Sequence, residues 1–211
     1  MKIGIIGSGR VGYSMGKYMQ DHGIRVTGFY DRHRERALDA AQFTGTDSFD
    51  RIEDLVAASD TLFLTTSDGE IANVWDCIRH LSIQGKIICH FSGSLSSDQF
   101  QGIEKTRAYG LSIHPMLAFS DKYTSYKQLQ NAFFTLEGHA QALAVMEPLL
   151  QKMGNPVQRI APEQKALYHA AAATLSNQVV ALLASGYEML EACGFDTENA
   201  RRASAAASYT H

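Results

Sequence analysis

The stretch from Lys2 to Gly16, KIGIIGSGRVGYSMG, constrains this chain more than any other. Ile3, Ile5 and Ile6 form a short β-branched run suited to a parallel strand buried on both faces, and Gly7-Ser8-Gly9-Arg10-Val11-Gly12 follows it without a spacer. Gly7 permits a tight turn, Gly9 a close approach of backbone to a pyrophosphate, and Gly12 close packing of the next helix on the strand. The first amides of that helix would face the phosphates. A second strand, Ile24 to Tyr30, ends in Asp31, about twenty residues past Gly12, where a Rossmann fold places the acid that binds a ribose.

Bulk properties exclude several classes. With 19 basic and 22 acidic residues the net charge is -3 and no basic cluster offsets it, which argues against a nucleic-acid surface. No apolar run is long enough to span a bilayer, and Met1 leads at once into the first strand without a signal peptide, so a cytoplasmic protein is expected. Cys77, Cys89 and Cys193 are odd in number and far apart, so buried free thiols are expected rather than a disulfide or a metal site.

Along the chain, a first helix from Val11 to Asp21 stops at Gly23. Arg32 to Arg36 opens another. Here Asp31 argues for NAD, whereas Arg32 and Arg34 argue for NADP. A short third strand is expected at Phe43-Thr44-Gly45, a helix at Ile52 to Ala58 and a fourth strand at Thr61 to Thr65. Ser67 and Glu70 have capping-box spacing for a helix containing Trp75, a core residue; Thr66 and Ser67 also lie where a strand-end loop faces a dinucleotide. A fifth strand, Lys86 to His90, runs into a polar loop with Ser94, and Ser96 with Gln99 repeats the capping spacing. A sixth, Ala108 to Ile113, ends in His114-Pro115-Met116. His114 is the best catalytic candidate, because an imidazole exchanges protons near neutral pH. A turn-rich Phe119 to Gln130, a strand at Ala132 to Leu136, a helix at Ala140 to Met153 and an edge strand at Val157 to Ile160 complete the domain.

Pro162 then opens a long helix running to Cys193 and ended by Gly194. From Ala170 to Leu190 nearly every residue is apolar or small, so the helix must be enclosed on several sides. His169, Ala173 and Asn177 share one face, which brings an imidazole and an amide into view as site residues.

The glycine motif, the strand end IHPM at 113 to 116 with Phe119 following, and YHAAAATLSNQVVALL at 168 to 183 together resemble Rossmann-like oxidoreductases with a helical second domain of unknown function. These are relatives of the deazaflavin-dependent NADP reductases and of the 6-phosphogluconate dehydrogenase superfamily. Gly93-Ser94-Leu95, His114-Pro115-Met116 and Ser176-Asn177 are similar to the stretches where prephenate dehydrogenases carry an active-site serine, a catalytic histidine and a second histidine; the last is asparagine here. In the superfamily's β-hydroxyacid dehydrogenases a helix carries lysine, then asparagine four residues later, then glutamate eleven beyond. Asn177 and Glu188 keep the second interval, which puts the lysine position on Ala173 and passes proton transfer to His114 or His169. The family also carries more helices after this point, so the resemblance implies that the second domain, stopping at His211, is incomplete.

These readings converge on an α/β protein: a doubly wound, mainly parallel Rossmann domain over residues 1–160, then an all-α domain over 161–211. The implied activity is NAD(P)-dependent hydride transfer to or from a small polar hydroxy or keto metabolite, NADP being favoured by the resemblance. Gly7, Ser8, Gly9, Arg10, Val11, Gly12, Asp31, Arg32, Arg34, Thr66 and Ser67 would hold the cofactor, with no metal. His114, Ser94, Asn177 and His169 would serve the chemistry. The alternative is a non-catalytic dinucleotide-binding sensor or scaffold, supported by the missing lysine and the short second domain. The long apolar helix implies a homodimer joined through the C-terminal helices.

Overall fold

A computed structural model describes residues 1–207; the last residues, up to His211, lie outside the described residues. The chain forms two compact units, Met1–Ala166 and Leu167–His211. The first is built on one eight-stranded sheet: β1 (Lys2–Ile6), β2 (Arg25–Tyr30), β3 (Asp47–Ser48), β4 (Thr61–Leu64), β5 (Ile87–His90), β6 (Tyr109–Pro115), β7 (Phe134–Gly138) and β8 (Val157–Arg159). Their order is β3-β2-β1-β4-β5-β6-β7-β8, so the strand order reverses between β1 and β4, and ligands of open α/β sheets bind at such a point. All pairings are parallel except β6 with β7.

Two apolar layers cover the sheet. One packs Tyr13, Met15 and Met19 of α1 (Arg10–Asp21), the alanines of α2 (Arg34–Thr44), and Leu143, Met146 and Leu150 of α6 (Ala140–Lys152) against Ile3, Ile5, Phe29 and Leu111. The other packs Leu55 of α3 (Ile52–Ala58) and Ile71, Trp75 and Ile78 of α4 (Asp68–Ile78) against Ile6, Leu62, Leu64 and Ile88. Ile103 of the short α5 (Ile103–Thr106) joins that second layer. Trp75 is core, as its pattern predicts, and its indole N–H donates to the Gln101 carbonyl at 2.9 Å.

Several expectations need correction. Phe43 and Thr44 are not a strand but the last turn of α2, which stops at left-handed Gly45; the third strand falls instead on Asp47–Ser48. β6 runs through Pro115, two residues further than expected, so His114 is a sheet residue paired with Thr135 near the strand's carboxyl end. Ser67 occupies the position before α4, yet its side chain makes no capping bond. Of the cysteines only Cys89 is buried; Cys77 and Cys193 are exposed, and all three are free.

The segment after β6 is pinned to the first two helices. Asp39 on α2 accepts from the hydroxyls of Tyr13 and Tyr123 and from Lys122 Nζ, at 2.5, 2.9 and 2.7 Å, while Lys122 lies over both tyrosine rings. The bond from Lys122, followed by those from the two tyrosines, draws the Asp39 carboxyl down to about 2. Desolvation, then the bond to Asp39, pushes the Tyr13 phenol well above its usual range.

In the second unit α7 (Lys165–Ala173), which begins on the last two residues of the first, continues through a π-helical turn at Thr174–Gln178 into α8 (Val179–Ala192), and left-handed Gly194 ends the run. Helix α9 (Thr197–Ala207) follows. On the long helix Leu175, Leu182 and Met189 are 74%, 76% and 69% exposed, so the other described residues of the second unit do not enclose it. Among the described residues no helix is long and apolar enough to cross a membrane.

Candidate functional site

The glycine motif folds as its spacing predicts. Gly7 is left-handed at φ +103°, and a Cβ there would press on Thr66 at 3.0 Å. A Cβ on Gly12 would run into the Gly7 carbonyl oxygen and stand 2.7 Å from Thr65 Oγ1, so α1 seats on the turn only because Gly12 lacks a side chain. At Gly9 the nearest atom to such a Cβ is 3.9 Å away, leaving that backbone open. The α1 N-terminus therefore points its amides at a cleft of about 390 Å³ at the β1/β4 switch point.

The cleft is mixed in character. Tyr30, Ile52, Val74 and Cys77 give it an apolar wall; Asp31, Arg32 and Arg36 give it charge; Gly7, Ser8, Gly9, Thr66 and Ser67 give it backbone and hydroxyl groups. Ser8 Oγ and Thr66 Oγ1 are buried without a hydrogen-bond partner among the described residues. Buried hydroxyls of this kind need an acceptor or donor from elsewhere. An open backbone cradle, a helix N-terminus and two orphaned hydroxyls fit a dinucleotide pyrophosphate. Asp31 closes the turn, its Oδ2 accepting from the Ser8 amide at 2.7 Å and its Oδ1 from the His33 amide at 2.9 Å.

Not every expected cofactor residue is there. Arg34 turns away, donating to Asp50 Oδ1 at 2.6 Å, and the second arginine of the cleft is Arg36, one helical step further. Arg10 reaches the Ser120 carbonyl at 3.5 Å, and Val11 packs on the apolar core.

A second polar group gathers at the carboxyl end of β5 and the adjoining middle of β6. Asp68, which follows Ser67 in the chain, accepts from Ser92 Oγ at 2.8 Å and Ser94 Oγ at 3.2 Å. Lys165, absent from the expected site, sends its amine to the Ser92 carbonyl at 2.9 Å and the Ser112 hydroxyl at 2.8 Å. Only 2% of Lys165 is exposed. Burial brings its ammonium down to about 8, against smaller upward pushes from Glu137 and Asp68. His90 lies beneath the loop. Its Nδ1 accepts from the Ser92 amide at 3.3 Å, so Nε2 carries the hydrogen that meets the Ser96 carbonyl at 3.0 Å; burial lowers the imidazole to about 4 and keeps it neutral.

Of the expected chemical residues, Ser94 belongs to this cluster. His114 lies two positions beyond Ser112 on the same strand, and alternation sets both on one sheet face. His169 and Asn177 belong to the second unit, His169 on α7 and Asn177 in the π-helical turn, and both are exposed. Lys165 was within reach of sequence reasoning: it precedes His169 by four residues, the interval by which the dehydrogenase lysine precedes its amide. Among the described residues no group of histidine, cysteine and acidic side chains is arranged to hold a metal ion.

Residues 1–81 match the family described as oxidoreductase family, NAD-binding Rossmann fold, and residues 132–206 match a domain of unknown function, DUF2520. No curated protein sequence matches the chain. Among solved structures, a Thermotoga maritima protein is 24% identical, with TM-score 0.69 over 92% of this chain and 71% of its own. An imine reductase from a Pseudomonas species is 17% identical, with TM-score 0.77 over 96% and 70%. A reductive aminase from Aspergillus terreus, solved with NADPH and ethyl-5-oxohexanoate, is 17% identical, with TM-score 0.72 over 93% and 68%. At these identities the likeness is one of fold.

Proposed function

For a chain that joins an NAD-binding Rossmann segment of the oxidoreductase family to the helical domain of unknown function, we propose NAD(P)-dependent reduction of a small polar carbonyl-type metabolite, or the reverse oxidation of its alcohol. The observation that carries this reading is Lys165, a buried amine that donates to the Ser92 carbonyl just past β5 and to the Ser112 hydroxyl in the middle of β6. When bound, a reduced nicotinamide supplies the hydride that reaches the electrophilic carbon. The Lys165 ammonium gives a proton to the oxygen that becomes a hydroxyl, and Ser94, tied to Asp68, orients that oxygen. His114, on the face of Ser112, returns the proton to the amine from solvent. A non-catalytic sensor loses its chief support, because the lysine missing at position 173 is supplied at 165.

The cofactor reading favours NADP. Both Asp31 oxygens already accept backbone N–H groups, while Arg32 and Arg36 line the cleft beside it, so a 2′-phosphate meets two cations there. Titration with NADPH and NADH, followed by absorbance screening of keto acids, keto esters and imines, tests both statements. Replacing Arg32 and Arg36 together by alanine should weaken NADPH binding at least about tenfold and NADH binding far less. Arg34→Ala, which breaks only the pair with Asp50, should leave both alone. Failure of both nucleotides to bind would sink the proposal, and an equal loss for both in the double variant would sink the NADP preference.

The assembly reading is a homodimer in a reducing, cytoplasmic compartment, the latter consistent with two exposed free thiols. Leu175, Val180, Leu182 and Met189 leave an apolar stretch bare, and a two-fold axis would let one such face cover its copy. Sedimentation should return a mass near twice 23.2 kDa; a monomer at micromolar concentration with its helices intact would refute this.

A further inference from the structure

Glu137 has no part in the scheme above, yet it is a carboxylate only 2% exposed in the interior of a sheet. β7 runs antiparallel to β6, and the register sets Glu137 opposite Ser112, the residue whose hydroxyl accepts from Lys165 Nζ at 2.8 Å. Facing residues of such a pair share one sheet face with Cβ atoms roughly 4.5–5.5 Å apart. Both Glu137 oxygens accept bonds from one residue, Oε2 from the Ser97 amide at 2.7 Å and Oε1 from the Ser97 hydroxyl at 2.6 Å. Accepting on both oxygens is the pattern of an ionised carboxylate.

A glutamine would serve Ser97 equally well, taking the amide on its oxygen and donating to the hydroxyl from its nitrogen. Burying a charge costs far more than burying an amide, so the hydrogen bonds leave the charge itself without a purpose. Lys165, across Ser112, provides one. We propose that Glu137 is a positioning residue for Lys165: its charge, acting across the Ser112 pair, keeps the buried amine protonated and ready to donate. This rests on reading Lys165 as the proton donor. The other titratable groups facing the amine are Asp68 at the start of α4, exposed and screened by solvent; His90 at the end of β5, held neutral; and His114 further along β6. Of the two carboxylates that push the Lys165 ammonium up, Glu137 acts the more strongly.

The test is the titration of Lys165 by carbon NMR in the full chain labelled at lysine Cε, the signal being assigned by its loss in Lys165→Met. In Glu137→Gln the midpoint should fall by about one pH unit from its parent value, as expected for loss of one nearby opposite charge. With a turned-over substrate, the alkaline limb of kcat should move down equally, leaving a rate about fivefold lower at pH 8. Asp68→Asn should move the midpoint less, because its charge is exposed. Ser97→Ala keeps the Glu137 charge and the backbone amide bond to it but removes the hydroxyl bond, so Lys165 should titrate there as in the parent. An unmoved midpoint in folded Glu137→Gln would overturn the inference. So would an equal fall in Ser97→Ala, a result that bears on it even if Glu137→Gln does not fold. If the midpoint moves as expected while no substrate is reduced, the inference about Glu137 stands and the proposed reaction is the part that fails.

Discussion

Replacing Lys165 by methionine is expected to cut nicotinamide-dependent turnover by about 10²- to 10⁴-fold, the usual worth of a positioned acid or base, while dinucleotide affinity changes by less than about threefold. Misfolding would not be the cause. Burial places the Lys165 ammonium at about 8 against an ordinary 10.5, so the folded protein holds this proton less tightly than the unfolded chain. A lysine lowered in this way therefore costs stability at neutral pH, and the cost disappears as pH rises from 8 toward 10.5. Methionine fills the same channel without a charge. The variant should consequently melt no lower than the parent at pH 7. A calorimetric scan showing a large loss of stability, or turnover kept within a factor of about three, would remove Lys165 from the chemistry.

The second large effect concerns the two glycines on either side of Arg10 and Val11. In Gly12→Ala the new methyl meets the Gly7 carbonyl oxygen and Thr65 Oγ1, the first of which is backbone and cannot rotate away. Helix α1 must shift off β1, at about 1–3 kcal/mol for overpacking, and the amides at its start lose their aim at the cleft. Both thermal stability and dinucleotide binding should fall. Gly9→Ala places its methyl in open space 3.9 Å from the nearest atom, so the fold should survive while nucleotide binding weakens roughly tenfold or more, through loss of close backbone approach. Denaturant melts beside NADPH titrations distinguish the two, and similar behaviour of both variants would contradict this account of the turn.

How far the sequence could be read depended on how local each signal was. The first strand, the glycine turn, the start of α1 and the acid at Asp31 lie within one unbroken pattern, and all stand where that pattern predicts. Phe43 and Thr44 carry side chains favoured in strands, yet Thr44 Oγ1 bonds back to the Ala40 carbonyl at 2.7 Å and the helix runs on to Gly45. The true third strand, Asp47–Ser48, has no apolar signal; its place beside β2 depends on Gly28, where any Cβ would strike the Asp47 carbonyl. Ser67 and Glu70 have the spacing of a capping box, but no cap bond forms and Ser67 lines the cleft. Arg34 resembled a cofactor ligand until its partner, Asp50, came alongside from the β3 loop. Lys165 was missed because counting back from Asn177 led to Ala173, and only the fold around β5 and β6 shows which amine is buried.

The β1–β4 pairing carries a consequence for how the protein folds and unfolds. Strands β4 to β8 are neighbours in chain order, so each can add to the last through one connection, whereas β1 is separated from β4 in the chain by α1, β2, α2, β3 and α3. The pairing of Ile3 with Thr61 therefore closes the longest loop in this half of the sheet and bears the largest entropic delay. The two walls of the cleft meet only across that seam, where the Thr65 amide bonds the Ile6 carbonyl at 2.9 Å and Thr65 Oγ1 bonds that of Gly7 at 2.6 Å. A nucleotide spanning both walls binds only chains in which the seam has closed. A dinucleotide held there would act as a reversible clasp on that seam, and by mass action it would raise the stability of the folded protein.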